Sequence, residues 1–198
     1  MVFQSNTYSV LLVSASEKIN TAILSLLPST DFWPVTVVSN INKARRFVLE
    51  QSYDLVIVNS PLPDGSGTRF CAELCAQGEA GVLLLVKREL YEETYYDVLP
   101  SGVVTLPKPT SLDMLSQSLR VLCAIRERLR SARKKEASLE EKMEELRLLN
   151  RAKWLLITTQ GMTEDEAHRA ITRQAMEKRI TKREAAEQII RSFSENAP

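Results

Sequence analysis

Catalysis needs a nucleophile with its base, or a set of metal ligands, and this 198-residue sequence offers little of either. Its one histidine, His168, follows an apolar position of a helical pattern, where a surface or packing duty suffices. Cys71 and Cys75 share one helical face, but no His or further Cys completes a metal set, and Cys123 stands apart. All three read as reduced thiols in or near a core. A Gly-rich phosphate loop is absent. The expectation is a protein that is not an enzyme and carries no cofactor and no metal. What the residues do offer is charge. Residues 1–119 hold 8 basic and 12 acidic side chains, giving −4, whereas residues 120–198 hold 18 and 13, giving +5, within a net charge of +1. The basic half is the part suited to meeting a polyanion.

Those residues must be positioned by a scaffold, and the pattern of apolar residues indicates which. An apolar content of 44% is that of a chain that buries a core. No apolar run reaches the roughly 18 residues of a membrane span, and the N-terminus lacks the pattern of a signal peptide, so a cytoplasmic protein without membrane contact is expected. The central feature is a stretch free of Gly and Pro from Ser111 to about Gln160, read as one long helix. With Leu122, Leu129, Glu136, Met143 and Asn150 at heptad position a, Ile125, Ala132, Leu139 and Leu146 fall at d. Seven of these nine are apolar, which predicts a coiled-coil seam and a parallel homodimer, with Glu136 and Asn150 weakening the seam but setting its register. The charged residues around it, from Arg126 to Glu145, are expected in solvent.

Ahead of that helix, short β-branched runs alternate with amphipathic helices. Strands are predicted at Tyr8–Val13, Val35–Val38, Asp54–Val58, Val82–Val86 and Val103–Leu106. Helices follow them: one opened by Ser14 and Glu17 as a capping box, one capped by Asn40, one around Phe70 and Leu74, and a weaker one over Glu89–Leu99. Such alternation makes an α/β flavodoxin-like domain with a parallel sheet. The succession VLLV, DLVIVNSPLPDGSG and LPKP resembles the receiver domain of bacterial two-component response regulators over residues 8–120. That family uses an Asp at the end of the third strand, an acidic pair after the first and a hydroxyl ending the fourth. Here these positions hold Asn59, Ser14 with Ala15, and Val86, and only Lys108 keeps the family's residue. An amide is not a phosphoryl acceptor, and neutral Ser14 and Ala15 give a divalent cation no anionic oxygen. The resemblance implies a pseudo-receiver, with Lys108 hydrogen-bonded near Asn59, Ser14 serving as a helix cap, and the domain used to contact a protein partner or a twin subunit.

Beyond the long helix, Gly161 ends it, Thr163 with Glu166 and Thr181 with Glu184 form two capping boxes, and two helices follow. Ala167, Ile171, Ala175 and Met176 line one, and Ala185, Ala186, Ile189, Ile190 and Phe193 the other; both should fold back on Ala152, Leu155 and Leu156 as a three-helix all-α unit. Residues 150–190 resemble the ANTAR domain of transcription antitermination regulators, through Ala152-Lys153, Leu156, Thr163, Glu166, Ala167, Ala175-Met176 and Ala185-Ala186. The domains expected are 1–120 (receiver-like), 121–149 (coiled-coil helix) and 150–198 (ANTAR). The resemblance implies RNA as partner: tandem hairpins in leader transcripts, stabilised against a terminator by a dimer. Arg151, Lys153, Arg173, Lys178, Arg179, Lys182 and Arg183 are the candidate RNA contacts. Trp154, where the family commonly has a small residue, either stacks on a base or fills a gap between helices. Rival readings are a protein-interaction module held by sequestration, and a DNA-binding response regulator, the latter disfavoured by the acidic content of the last helices.

Overall fold

The computed structural model describes residues 7–78 and 80–195, with the backbone alone at Ser194 and Glu195. Residues 1–6 and 196–198, the outer ends of the expected first and last domains, lie outside the described residues. The chain forms two compact units, Met1–Ala132 and Arg133–Pro198.

In the first unit the apolar runs become five strands: β1 (Tyr8–Val13), β2 (Phe32–Val38), β3 (Leu55–Asn59), β4 (Gly81–Lys87) and β5 (Val104–Lys108). They form one parallel sheet in the order β2-β1-β3-β4-β5. Parallel neighbours need crossovers, supplied by α1 (Glu17–Leu24), α2 (Ile41–Glu50), α3 (Thr68–Ala76) and α4 (Tyr91–Val98), with the start of α5 (Leu112–Gln160) after the last strand. This is the flavodoxin-like order, in which the direction of winding reverses between β1 and β3. Alternating side chains divide the core. Leu11, Val13, Val56, Val58, Leu84 and Val86 pack with Ala44, Phe70, Leu74 and Val98 on one face. On the other, Val10, Leu12, Leu55, Ile57, Leu83 and Leu85 meet Ile23, Leu115, Leu119 and Leu122. β3 is buried along its whole length, as a central strand covered on both faces must be.

Several expectations need correction. β2 begins at Phe32, not Val35; it is an edge strand, so Pro34 needs no ladder partner on its open side. β3 starts one residue later than expected and ends on Asn59, leaving Asp54 just outside the sheet. Ser14 and Glu17 form no capping box. Helix α1 starts at Glu17 behind Ser16, which makes no side-chain cap, and the buried Ser14 hydroxyl instead accepts from Ser16 N–H at 3.3 Å and from the Asn59 amide at 3.0 Å. The buried amide needs an acceptor and the strand end supplies one. The Asn40 cap is present, accepting from Lys43 N–H at 2.8 Å.

The early part of α5 belongs to the first unit, which corrects the reading of the seam there. Leu122 is fully buried under the sheet, in space that Gly81 leaves open: a Cβ at Gly81 would lie 3.0 Å from Leu122 Cγ. Ile125 and Leu129 are half-buried, lining a cavity of about 150 Å³ with Cys75, Ala80 and Val82. Arg126 is not solvated either. Its Nε and a terminal nitrogen both donate to Asp54 Oδ1 at 2.9 Å, while Asp54 Oδ2 accepts from Ser9 N–H and Oγ at 3.0 Å. A helix that covers the sheet must turn its apolar stripe toward it, so Leu122 is taken by the sheet and Ile125 and Leu129 are partly covered within their own unit.

In the second unit the end of α5 packs with α6 (Glu164–Lys178) and α7 (Lys182–Glu195). Ala152, Leu156, Ala167, Ile171, Ala175, Ala185, Ala186 and Ile189 are its buried core, and the small alanines let the helices approach closely. Gly161 takes the left-handed conformation after α5, at φ 67°, with its N–H on Ile157 C=O at 3.1 Å. Both capping boxes are present: Thr163 N–H donates to Glu166 Oε2 at 2.8 Å, and Thr181 N–H to Glu184 Oε2 at 2.8 Å. Met176, expected inside, is 74% exposed. Five positions after Ile171, it lies about 140° round the helix from it. Leu155 is only half-buried, and Leu148 and Leu149 join the core in its stead. Cys71 is buried and Cys75 and Cys123 are half-buried, all as free thiols; burial pushes the Cys75 thiol up to about 11.

Candidate functional site

The sheet brings Ser14, Asn59 and Lys108 to its carboxyl edge, beside the reversal point where open α/β sheets place their ligands. Asn59 and Ser14 are 4% and 2% exposed. The Asn59 amide nitrogen donates to Ser14 Oγ, and its oxygen accepts from Lys108 Nζ, which also donates to the Ser60 carbonyl. Lys108 thus has two neutral acceptors, and burial, followed by repulsion from Lys87, holds its pKa below the ordinary lysine range. Val86 is buried in the apolar cluster beneath, and Ala15 is exposed.

The receiver fold implies a magnesium ion at this edge, and the residues present do not fit one. Ser14, Ala15 and Asn59 are neutral and Lys108 is a cation. Of the two nearest carboxylates, Glu17 is exposed on α1, whereas Asp64 caps α2, accepting from Ile41 N–H at 3.0 Å and Asn42 N–H at 2.9 Å. What burial Asp64 has would raise its pKa, but these two donors outweigh it and hold the carboxyl below its usual range. Among the described residues no group of three or more His, Cys, Asp or Glu is placed to hold a metal. Neither Asp64 as a cap nor the Asp54–Arg126 pair stood out in the sequence, because each joins residues more than 20 positions apart.

The second unit presents the opposite arrangement. Arg151, Arg173, Lys178, Arg179, Lys182 and Arg183 are all exposed. Four of them crowd the turn between α6 and α7, Lys178-Arg179-Ile180-Thr181-Lys182-Arg183. Lys178 Nζ donates to the neutral Gln188 Oε1 at 2.8 Å, and Arg183 pairs with Glu187 at 3.2 Å. Arg179 closes α6 in the left-handed region at φ 54°, its N–H on Met176 C=O and the next N–H on Ala175 C=O. Glycine usually occupies such a position, because a Cβ strains it by roughly 1 kcal/mol. Lys153 differs from the others. It is half-buried and paired with Glu164 at 2.9 Å, a hydrogen bond and charge that hold the Glu164 carboxyl below its usual range. Trp154 is 61% exposed, so it fills no gap within its own unit. Of the seam residues in this unit, Leu139, Met143 and Leu146 are 61%, 55% and 59% exposed.

Comparison with known proteins agrees with this division. Residues 137–190 match the ANTAR domain family model, starting 13 residues earlier in the long helix than the sequence reading placed the domain at 150. The chain is 29% identical over 143 residues to the transcriptional regulatory protein PdtaR of Mycobacterium tuberculosis, covering 71% of this chain and 68% of that protein. Among solved structures, it resembles the signal receiver domain of an HD domain-containing protein from Pseudomonas fluorescens Pf-5, with TM-score 0.56 and 21% identity over 68% of this chain and 97% of that one. It also resembles the chemotaxis response regulator CheY4 of Vibrio cholerae, with TM-score 0.51 and 20% identity over 59% of this chain and 99% of that one. No helix among the described residues is long and apolar enough to cross a membrane. The chain thus has a receiver fold in front and an ANTAR domain over residues 137–190.

Proposed function

We propose that this regulator binds RNA hairpins through its C-terminal unit, as a dimer, and promotes transcriptional readthrough of terminators, while its receiver works without phosphorylation. The observation that carries the reading is the cluster of exposed Lys178, Arg179, Lys182 and Arg183 in one turn of the ANTAR domain. Cations at that density attract phosphates and release counter-ions, and an exposed stem-loop presents them on a short arc. Arg151 and Arg173 extend the basic surface; Lys153, tied to Glu164, is the weakest candidate of the set. Residues 121–149 contain the dimer helix, and Leu139, Met143 and Leu146 are the positions a second copy would cover.

In the receiver, the Asn59–Lys108–Ser14 network supports a site locked in one state. Control then falls to a protein partner that sequesters the regulator. Incubation with a small phosphodonor and magnesium should leave the intact mass unchanged, and a stable phosphoryl adduct would refute that part. For the RNA reading, the protein is crosslinked to RNA in its own cells and the bound segments are sequenced. Enrichment of leader segments holding two adjacent hairpins, the second overlapping a terminator, is the expected result. No RNA above background would leave a protein-interaction module as the better account, and recovery of duplex DNA would favour the DNA-binding alternative.

A further inference from the structure

Along the part of α5 that belongs to the second unit, buried and bare apolar side chains occupy different faces. Ala152 and Leu156 are in the core, with Leu148 and Leu149 packed against them. Leu139, Met143, Leu146 and Trp154 are instead each more than half exposed. Adding the exposed Asn150, the positions 139, 143, 146, 150 and 154 follow one another at intervals of three or four residues, which is one continuous stripe on a helix. Four large apolar side chains left bare in a row mark a contact surface, not scattered exposure. Trp154 therefore stands at the end of the proposed seam, although the heptad pattern does not count it as a seam position.

We propose that a second copy of this chain covers this stripe in parallel, and that Trp154 is the contact that closes it at the ANTAR end. This rests on the dimeric reading above and adds the register and the closing residue. With Met143 at a and Leu146 at d, Leu149 falls at g and Trp154 at e. In a parallel two-stranded coiled coil a g residue faces the e residue five positions later on the other helix. Leu149 and Trp154 have that spacing, so each indole lies against the half-buried Leu149 of the second copy, one apolar surface on another. The same rule places Lys135 opposite Glu140, an attractive pair, and Lys142 opposite Arg147, a repulsive one. Asn150, at a, meets its own counterpart, the arrangement by which a polar a residue favours two strands in one register. The consequence is that two ANTAR units are held side by side at Trp154, which sets the distance between their basic turns.

The test uses the full chain carrying Trp33→Phe, a substitution on an exposed side chain of the edge strand, so that Trp154 is the sole tryptophan. Mass by sedimentation and indole emission are followed together over a range of protein concentration, without RNA. The expected result is that emission moves to shorter wavelength and acrylamide quenching falls over the same range in which the mass doubles. Trp154→Glu should then weaken the dimer about tenfold or more, and Trp154→Leu much less. If the mass doubles while emission stays constant, the dimer stands and the role of Trp154 is refuted. Emission that is constant on dimerisation but shifts when a hairpin RNA is added overturns the proposal in favour of stacking on a base. A chain that stays monomeric at every concentration refutes the dimeric reading itself.

Discussion

Two regions of this molecule hold polar side chains in a position to act, and they hold them in contrary ways. At the carboxyl edge of the sheet, the buried Asn59 amide is held between the buried Ser14 and the half-buried Lys108, so both of its polar atoms are satisfied by the protein itself. In the turn between α6 and α7, Lys178, Arg179, Lys182 and Arg183 point into solvent, and one of them is kept in a backbone conformation that Arg rarely takes. A buried network with every partner supplied by the protein has one stable arrangement. An exposed cation cluster on a strained turn leaves its binding capacity for something else, and strain that persists in a folded protein is a pointer to use.

The difference can be broken hardest at α5, where a single helix serves both regions. Leu122→Ala empties a core position and should cost about 2–5 kcal/mol of first-unit stability in urea denaturation. Leu139→Ala, on the exposed stretch, should leave that transition within about 0.5 kcal/mol and appear only as weaker self-association in sedimentation.

Next in size is the clamp between β3 and α5. Burial raises the Asp54 pKa, but the Ser9 and Arg126 hydrogen bonds outweigh this and hold it below its ordinary 3.8. A carboxyl with a depressed folded pKa stabilises fully above the unfolded value and loses that contribution as pH falls through the folded one. Arg126→Leu should therefore cost about 2 kcal/mol at neutral pH and flatten the loss of stability below about pH 4, read from urea midpoints across that range.

Arg179→Gly sharpens the contrast from the other side. It should raise the stability of the second unit by about 1 kcal/mol while weakening RNA binding and lowering the salt-dependence slope by about one. A variant that gains stability with unchanged RNA affinity would separate the strained backbone from function. The smallest effect is expected of Asn59→Asp. A carboxylate there gives Lys108 a counter-charge, yet positions 14 and 15 still supply no anionic ligand, so phosphodonor and magnesium should leave its intact mass unchanged.

Much of the architecture was readable along the chain. The five strands, the span of α5, the Asn40 cap and the boxes at Thr163 and Thr181 all depend on residues within four positions of each other. Errors arose where a residue chose a distant partner over a near one. The spacing of Ser14 and Glu17 predicts a cap for the following helix, yet the Ser14 hydroxyl receives the Asn59 amide. Leu122 and Arg126 carried a seam pattern but serve the sheet and Asp54. The sequence around Trp154 allows a gap filler as readily as a surface contact, and its exposure of 61% decides between them.

The sequence by itself determined the period of each element, many of the places where helices start and stop, the loss of carboxylates at the receiver edge and the excess of cations over residues 120–198. These are properties of side-chain type and short-range spacing, which the local backbone obeys wherever it is placed. Only the tertiary structure decided which side of α5 was already taken. Burial is a competition among surfaces, and the sheet claimed Leu122 while leaving Leu139, Met143, Leu146 and Trp154 uncovered.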